Sequence, residues 1–319
     1  MRMHRRRFIR IAATCVAGLG LRQSALAALG GSLRPVSWRG YALGAEGGFT
    51  LYTEDPPAAR AVLERCFAEI RRLESFFSLY DNHSELCRLN REGRLDAPAA
   101  EWADLLAVAD HAHRMTGGLF DPTVQALWKC YDEHFRAYPD SVAGPDVAVI
   151  EAARARTGWE GLVVEKGAIA FTRPGMQLTL NGIAQGYITD RVTDILRGAG
   201  FPHVLVELGE TRAIGRHPGG RPWSIGIKHA ADPAALFDRV ELEDQALATS
   251  GAYGSPFSRD GAFHHLIHPQ SGRPEARWQS VSVIAPTAAE ADALSTGLSF
   301  ADGALVEAVR ASGLRVVLQ

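Results

Sequence analysis

The sequence predicts an α+β fold, mainly antiparallel sheet with packed helices. Three observations point there. Short alternating strands arrive in hairpin-like groups, amphipathic helical stretches of uneven length separate them, and no regular strand–helix–strand repeat links them into a parallel sheet. At 319 residues, 46% hydrophobic and 22% charged, the chain can bury a large core. No Pro/Ser-rich linker, low-complexity run or short-period repeat divides it, so one large domain or two intimately packed lobes are expected.

Residues 1–27 differ in character. Arg5-Arg6-Arg7-Phe8-Ile9-Arg10 leads into an apolar run from Ile11 to Leu21 and then Ala25-Leu26-Ala27. A basic start, a modest apolar length and a small-x-small site predict a twin-arginine signal peptide, cleaved before Ala28. The apolar run is shorter than the ~20 residues that span a bilayer, so no stable membrane insertion is expected. Residues 28–319 are then a single domain, exported folded to the periplasm. Loss of the six signal arginines leaves 28 basic against 36 acidic residues, a balance of −8. Such a charge suits neither nucleic acid nor an anionic membrane surface. Cys66, Cys87 and Cys130 remain; an odd number without close spacing predicts buried thiols and no disulfide framework.

Taken in order, Gly40–Tyr52 reads as a strand, with Tyr41, Leu43, Phe49 and Leu51 as its apolar positions. Pro56-Pro57 opens a helix whose inward stripe is Val62, Leu63, Cys66, Phe67, Ile70 and Leu73. Ser84 is a good N-cap for a short helix ending near Asn90. A further helix runs from about Ala99 to Thr116, closed by Gly117-Gly118, with Trp102, Leu105, Leu106, Ala109 and Ala112 inward. His111 and His113 fall on different helical faces and read as surface residues. In Leu119-Phe120-Asp121-Pro122-Thr123, Asp121 and Thr123 are expected to bond local backbone or hold a neighbouring strand. Leu162–Glu165 and Ala168–Phe171 form a hairpin around Lys166-Gly167. Leu178–Leu180 looks like a strand end, and Asn181-Gly182 turns it into a helix with Ile188, Val192, Ile195 and Leu196 inward. His203–Leu208 and Trp223–Lys228 read as strands, and Ala248–Tyr253 as a small-residue turn. Val281–Ala285 is a last strand before a helix capped by Thr287, with Glu290 three residues on.

Some of these segments carry chemistry. The glycine turn at Asn181-Gly182 opens a helix, where free N–H groups and the helix dipole suit phosphate; a plain structural connection is the alternative. In Ala248-Thr249-Ser250-Gly251, hydroxyls and N–H groups converge as an anion cradle. Asp292 and Thr296 lie four apart on one helical face, in a setting of small apolar residues. That pair is either a surface hydrogen bond or an oxygen-ligand site for Mg²⁺, which takes one or two protein oxygens and leaves the rest to water and phosphates. His264, His265 and His268 cluster without matching cysteine ligands, so one histidine beside a phosphate is favoured over zinc.

In this order the segments resemble the ApbE family of flavin transferases, which move FMN from FAD onto a protein threonine. The resemblance runs from Ser75 to Asp302. It rests on Leu73–Tyr80 and Ser84–Asn90, on Gly117–Thr123, on Asn181–Asp190, on Thr249-Ser250-Gly251, on His265–Gly272 and on Ala291–Thr296. It implies two intimately associated lobes with the flavin between them, FAD as substrate, Mg²⁺ as cofactor, and a target flavoprotein with a Ser/Thr acceptor motif as partner. It further implies that Asp292, Thr296 and the Ala184 carbonyl hold Mg²⁺ and that Tyr80 packs on the isoalloxazine. Asn181, Gly182, Gln185, Asp190, Glu210, Thr249, Ser250 and Gly251 become cofactor-binding positions. His265 would assist proton removal from the attacking hydroxyl, with Asp292 as the other catalytic residue.

Three positions depart from the family pattern. Gln185 stands for a usual Lys, Leu208-Gly209-Glu210 for Gly-Gly-Asp, and His268 for an Asp. They keep two alternatives open: FAD hydrolysis to FMN and AMP, and a flavin-binding carrier without turnover. The Trp38–Gly44 opening and the signal peptide suggest the exported NosX-type branch that serves nitrous-oxide respiration.

Overall fold

The computed structural model describes residues 33–42, 45–232 and 234–319, so the expected signal peptide lies outside the described residues. The described residues begin with strands β1 (Arg34–Ala42) and β2 (Ala45–Thr53), helices α1 (Pro56–Phe77) and α2 (Glu85–Glu92), and strand β3 (Arg94–Asp96). Helices α3 (Glu101–Met115), α4 (Gln125–Ala137) and α5 (Val147–Arg154) follow, then the hairpin β4 (Leu162–Glu165) and β5 (Ala168–Phe171). Helix α6 (Ala184–Gly198) precedes strands β6 (Val204–Leu208), β7 (Glu210–Ile214), β8 (Trp223–Lys228), β9 (Leu236–Leu242), β10 (Ala246–Gly251) and β11 (Ser280–Ala285). Helices α7 (Ala288–Leu298) and α8 (Gly303–Ala311) and strand β12 (Arg315–Leu318) complete it.

Seven strands form one antiparallel sheet in the order β1-β2-β6-β7-β10-β11-β12. Because side chains alternate along a strand, each strand feeds two cores. Val204, Val206 and Leu208 pack with Phe49, Leu51, Leu63, Ile188 and Leu294 under the helices. Leu205, Ala213, Leu247 and Ile284 pack on the opposite face against Trp223, Ile225 and Val240 of the β8–β9 ribbon. A separate cluster of Leu127, Tyr131, Phe135 and Ile150, from α4 and α5, closes on Phe257, Phe263 and Ile267. This second lobe stands over the ends of β7 and β10, and the α+β architecture expected from sequence is the one found.

Local chemistry sets the helix starts. Asp55 Oδ1 accepts from Ala58 N–H at 3.0 Å ahead of Pro56-Pro57, Ser84 Oγ accepts from Cys87 N–H, and Thr287 Oγ1 accepts from Glu290 N–H. Helices α6 and α7 cap one another. Asp190, on α6, accepts from the first two amides of α7, Ala288 N–H at 2.8 Å and Ala289 N–H at 2.9 Å. Asp292, on α7, accepts from Gly186 N–H in the first turn of α6 at 3.2 Å. The helices are close enough that a Cβ on Gly186 would sit 2.3 Å from the Ala288 carbonyl oxygen.

Three sequence expectations are corrected. Gly40–Tyr52 is not one strand: Ala42 pairs with Ala45, and the two arms form β1 and β2. Leu178–Leu180 is not a strand end, because its backbone groups are taken elsewhere. Asn90 bonds both the N–H and the C=O of Leu178, at 2.6 and 2.8 Å, and Thr179 N–H donates to the Pro122 carbonyl. Ala248–Gly251 is strand β10 and not a turn, so its hydroxyls point to opposite faces instead of converging. Thr249 Oγ1 meets Ser282 Oγ, while Ser250 Oγ meets Ser295. Helices α4, α5 and α8 and strands β1, β3, β7, β9 and β12 were not anticipated.

Candidate functional site

Between the main sheet and the second lobe lies a cleft. Its floor comes from the sheet and its helices: Asn181 and Gly182 before α6, Glu210 at the start of β7, Thr249 and Ser250 of β10, and Asp292 and Thr296 of α7. Its roof is Leu119–Pro122 and Val124 from the loop before α4 and Trp128 of α4, with His265, Leu266 and Ile267, and Phe300 closes one side. An apolar wall facing an acidic, hydroxyl-rich floor suits a ligand with an apolar part at one end and a cation-bearing polar part at the other.

The floor is built by the helix pairing. Gly186 N–H holds Asp292 Oδ2, which fixes the carboxylate at the mouth of α6. One turn along α7, Thr296 Oγ1 lies 3.2 Å from Ser250 Oγ, which in turn lies 2.8 Å from Ser295 Oγ. Glu210 follows a turn made by Gly209 alone, with Leu208 paired to Glu210 and Gly209 at φ +95°. Its carboxylate accepts from Thr249 N–H. Its Oε2 has no hydrogen-bond partner although the residue is only 3% exposed.

Electrostatically the floor crowds buried carboxyls whose ionised forms burial disfavours. Burial, then the charge of Asp292, pushes the Glu210 carboxyl well above its usual range; burial pushes Asp292 up as well, against the Gly186 hydrogen bond. Asp121, in the roof, is raised by burial and held down by the Thr123 hydroxyl and N–H. Among the described residues lining the cleft there is no Lys or Arg. His265 supplies no compensating charge, because burial, followed by the neighbouring His264, pushes its imidazole down to about 4. Hard oxygen ligands, two of them ionisable, with an orphaned carboxylate oxygen fit a hard divalent cation such as Mg²⁺.

The structure brings together Asn181, Gly182, Glu210, Thr249, Ser250, His265, Asp292 and Thr296 of the residues expected from sequence. The others lie around the cleft or away from it. Tyr80 is 54% exposed, and its hydroxyl bonds the Asn181 side chain, which reaches the floor. Ala184 opens α6 just behind Gly182, and the Gln185 amide lies over Gly209. Gly251 sits against the Tyr253 ring, outside the lining. Asp190 is corrected: both carboxylate oxygens are committed to α7 amides and to a buried ion pair with Arg212, so it is a strut and not a cofactor ligand. Trp128 and Phe300 were missed. One belongs to an unanticipated helix and the other follows α7 in a loop, where no periodicity marks an aromatic.

A family model described as the ApbE family matches residues 43–317. The FAD:protein FMN transferase of Vibrio cholerae serotype O1 is 36% identical over 228 residues, which is 69% of this chain and 67% of the relative. Among solved structures, the flavin transferase ApbE from Vibrio cholerae superposes with a TM-score of 0.78 at 26% identity, covering 90% of this chain and 93% of that one. The Pseudomonas stutzeri flavinyl transferase ApbE, in its apo form, gives 0.77 at 29% identity, covering 90% and 91%.

Proposed function

The chain belongs to the ApbE family, and from that premise we propose how it acts as a FAD:protein FMN transferase. The reading is that FMN passes from FAD to a Ser or Thr hydroxyl of a target flavoprotein in a Mg²⁺-dependent reaction that releases AMP. One observation carries the metal dependence: a cleft lined by Asp121, Glu210 and Asp292, without Lys or Arg among its described lining, cannot hold a diphosphate unless a cation enters with it.

Asp292, Thr296 and the carbonyl of Ala184 would hold the ion. When bound, Mg²⁺ neutralises the diphosphate and acts as a Lewis acid at the reacting phosphoryl group. The chain's own residues position and protect. At the mouth of α6 the Asn181 N–H is bonded to Thr179 Oγ1 and the Ile183 and Ala184 N–H groups to the Leu180 carbonyl, so what the helix start offers the phosphates is the positive end of its dipole. The apolar roof of Leu119, Phe120, Trp128 and Ile267 excludes water that would divert FMN to hydrolysis. His265, unprotonated at neutral pH, takes the proton from the acceptor hydroxyl as its oxygen bonds to the FMN-side phosphorus. The P–O bond to AMP breaks, and AMP departs with the bridging oxygen. A diphosphate beside the imidazole raises its basicity at the moment it is needed.

The deciding experiment is incubation of the protein with FAD, Mg²⁺ and a domain bearing an Asp-x-x-Ser/Thr-Gly/Ala-Ser/Thr motif, followed by intact mass. Addition of FMN to the domain is expected from the wild type, and a loss of at least a hundredfold in Asp292→Ala. Free FMN and AMP without labelling would make the protein a hydrolase, and bound, intact FAD would make it a carrier.

The twin-arginine signal motivates a periplasmic location. Changing Arg5 and Arg6 to Lys is expected to keep the protein in the cytoplasmic fraction, and unchanged export would discard that location. For the acceptor, the periplasmic domain of the membrane flavoprotein of nitrous-oxide respiration is the first to test. Labelling of other domains but not this one would discard the NosX-type assignment.

A further inference from the structure

We propose that Glu210 is a direct second carboxylate ligand of the cation held at Asp292 and Thr296, so that this chain has a two-carboxylate metal site; the inference rests on the Mg²⁺-dependent reading above. Glu210 lines the same cleft floor as Asp292 and Thr296, and it is 3% exposed. One interaction anchors it, the Thr249 N–H, and its Oε2 has no partner. A buried carboxyl oxygen left bare is costly in either protonation state. Ionised it is an uncompensated charge, and protonated it has a hydroxyl with nothing to donate to.

No protein cation relieves it. Arg212, two residues along β7 and on the same face, is taken by Asp190. Among the described residues no Lys or Arg forms an ion pair with Glu210, and none lines the cleft. The adjacent Asp292 makes the need greater, because two buried carboxylates side by side repel. A divalent ion satisfies both oxygens at once and removes that repulsion. The turn at Gly209 and the Thr249 bond hold the side chain in place, so its freedom is already spent before the ion arrives.

The test is Mn²⁺ binding to the purified chain without FAD, followed by electron paramagnetic resonance. The wild type is expected to take up Mn²⁺, and Glu210→Gln, which keeps shape and removes charge, to bind it at least tenfold more weakly. Asp292→Asn should lose comparably. Glu210→Asp, which keeps the charge on a shorter arm, should fall between, and it covers the case in which the Gln variant misfolds by thermal melt. Glu210→Gln binding Mn²⁺ like the wild type would overturn the proposal. So would an unchanged Mn²⁺ affinity together with weakened FAD binding in EDTA, which would make Glu210 a flavin contact. Wild-type protein that takes up no Mn²⁺ would instead overturn the metal reading on which the proposal stands, and Asp292→Asn losing Mn²⁺ while Glu210→Gln keeps it would sink the second ligand alone.

Discussion

His265 is the residue whose environment makes the sharpest demand. Its imidazole is pushed down to about 4, from an ordinary value of 6.5, by burial. Without flavin the ring should stay unprotonated down to about pH 4, and the diphosphate, by raising its basicity, should move the acid limb of kcat/KM for the acceptor above that value. A stability effect follows with the same sign. Between pH 4 and 6.5 the unfolded chain binds a proton that the folded chain does not, so this ring makes the fold more stable as pH rises through that window. His265→Asn is expected to slow transfer by about 10²–10⁴ and to flatten the acid limb, checked by initial rates of target labelling. Residue-level legibility was uneven. Asp292 and Thr296 stood out because oxygen ligands at four-residue spacing are rare on a small-residue helix face. Asp190 read as a site residue because sequence shows a carboxylate but not its partners, and those partners, Arg212 and the start of α7, come from distant parts of the chain.

At the scale of elements, the α6–α7 contact decides whether the floor exists. Gly186 is the position where the two helices touch, and Gly186→Ala would drive a methyl into the Ala288 carbonyl, backbone that cannot step aside. A loss of about 3 kcal/mol or more is expected on urea unfolding, and FAD binding should weaken with it. If Gly186→Ala melts like the wild type, the helices are less tightly docked than described. Most helices, and strands β6, β8 and β11, were legible because capping residues and apolar periodicity are local signals: Ser84, Thr287 and the stripe of α1 are examples. What stayed hidden was set by distant contacts. Leu178–Leu180 has the composition of a strand, but Asn90, 88 residues away, occupies the backbone groups that a ladder would use. Ala248–Gly251 reads as a turn because small residues lack strand propensity, yet its pairing with β11 along the whole length makes it a strand.

For the whole molecule, the cleft between sheet and second lobe implies that ligands acting on its floor stabilise the entire fold. A cation that binds only the native state at a hundred times its Kd adds about 2.7 kcal/mol, so Mg²⁺ is expected to raise the melting temperature by a few degrees. Asp292→Ala should abolish that rise, and a Mg²⁺-independent melt of the wild type would contradict the site. The α+β class was legible because it depends only on the order and spacing of elements, whereas the cleft was not, since its roof joins the loop before α4 and Trp128 of α4 to the distant His265–Ile267 segment. The mutual capping of α6 and α7 has a consequence for biogenesis. Each helix supplies the carboxylate that finishes the other, so the floor works as a two-key lock: a chain with only one helix in place has neither a positioned Asp292 nor a finished phosphate cradle. Flavin chemistry is thereby withheld from every half-folded form, and an active molecule is by construction one whose folding is over.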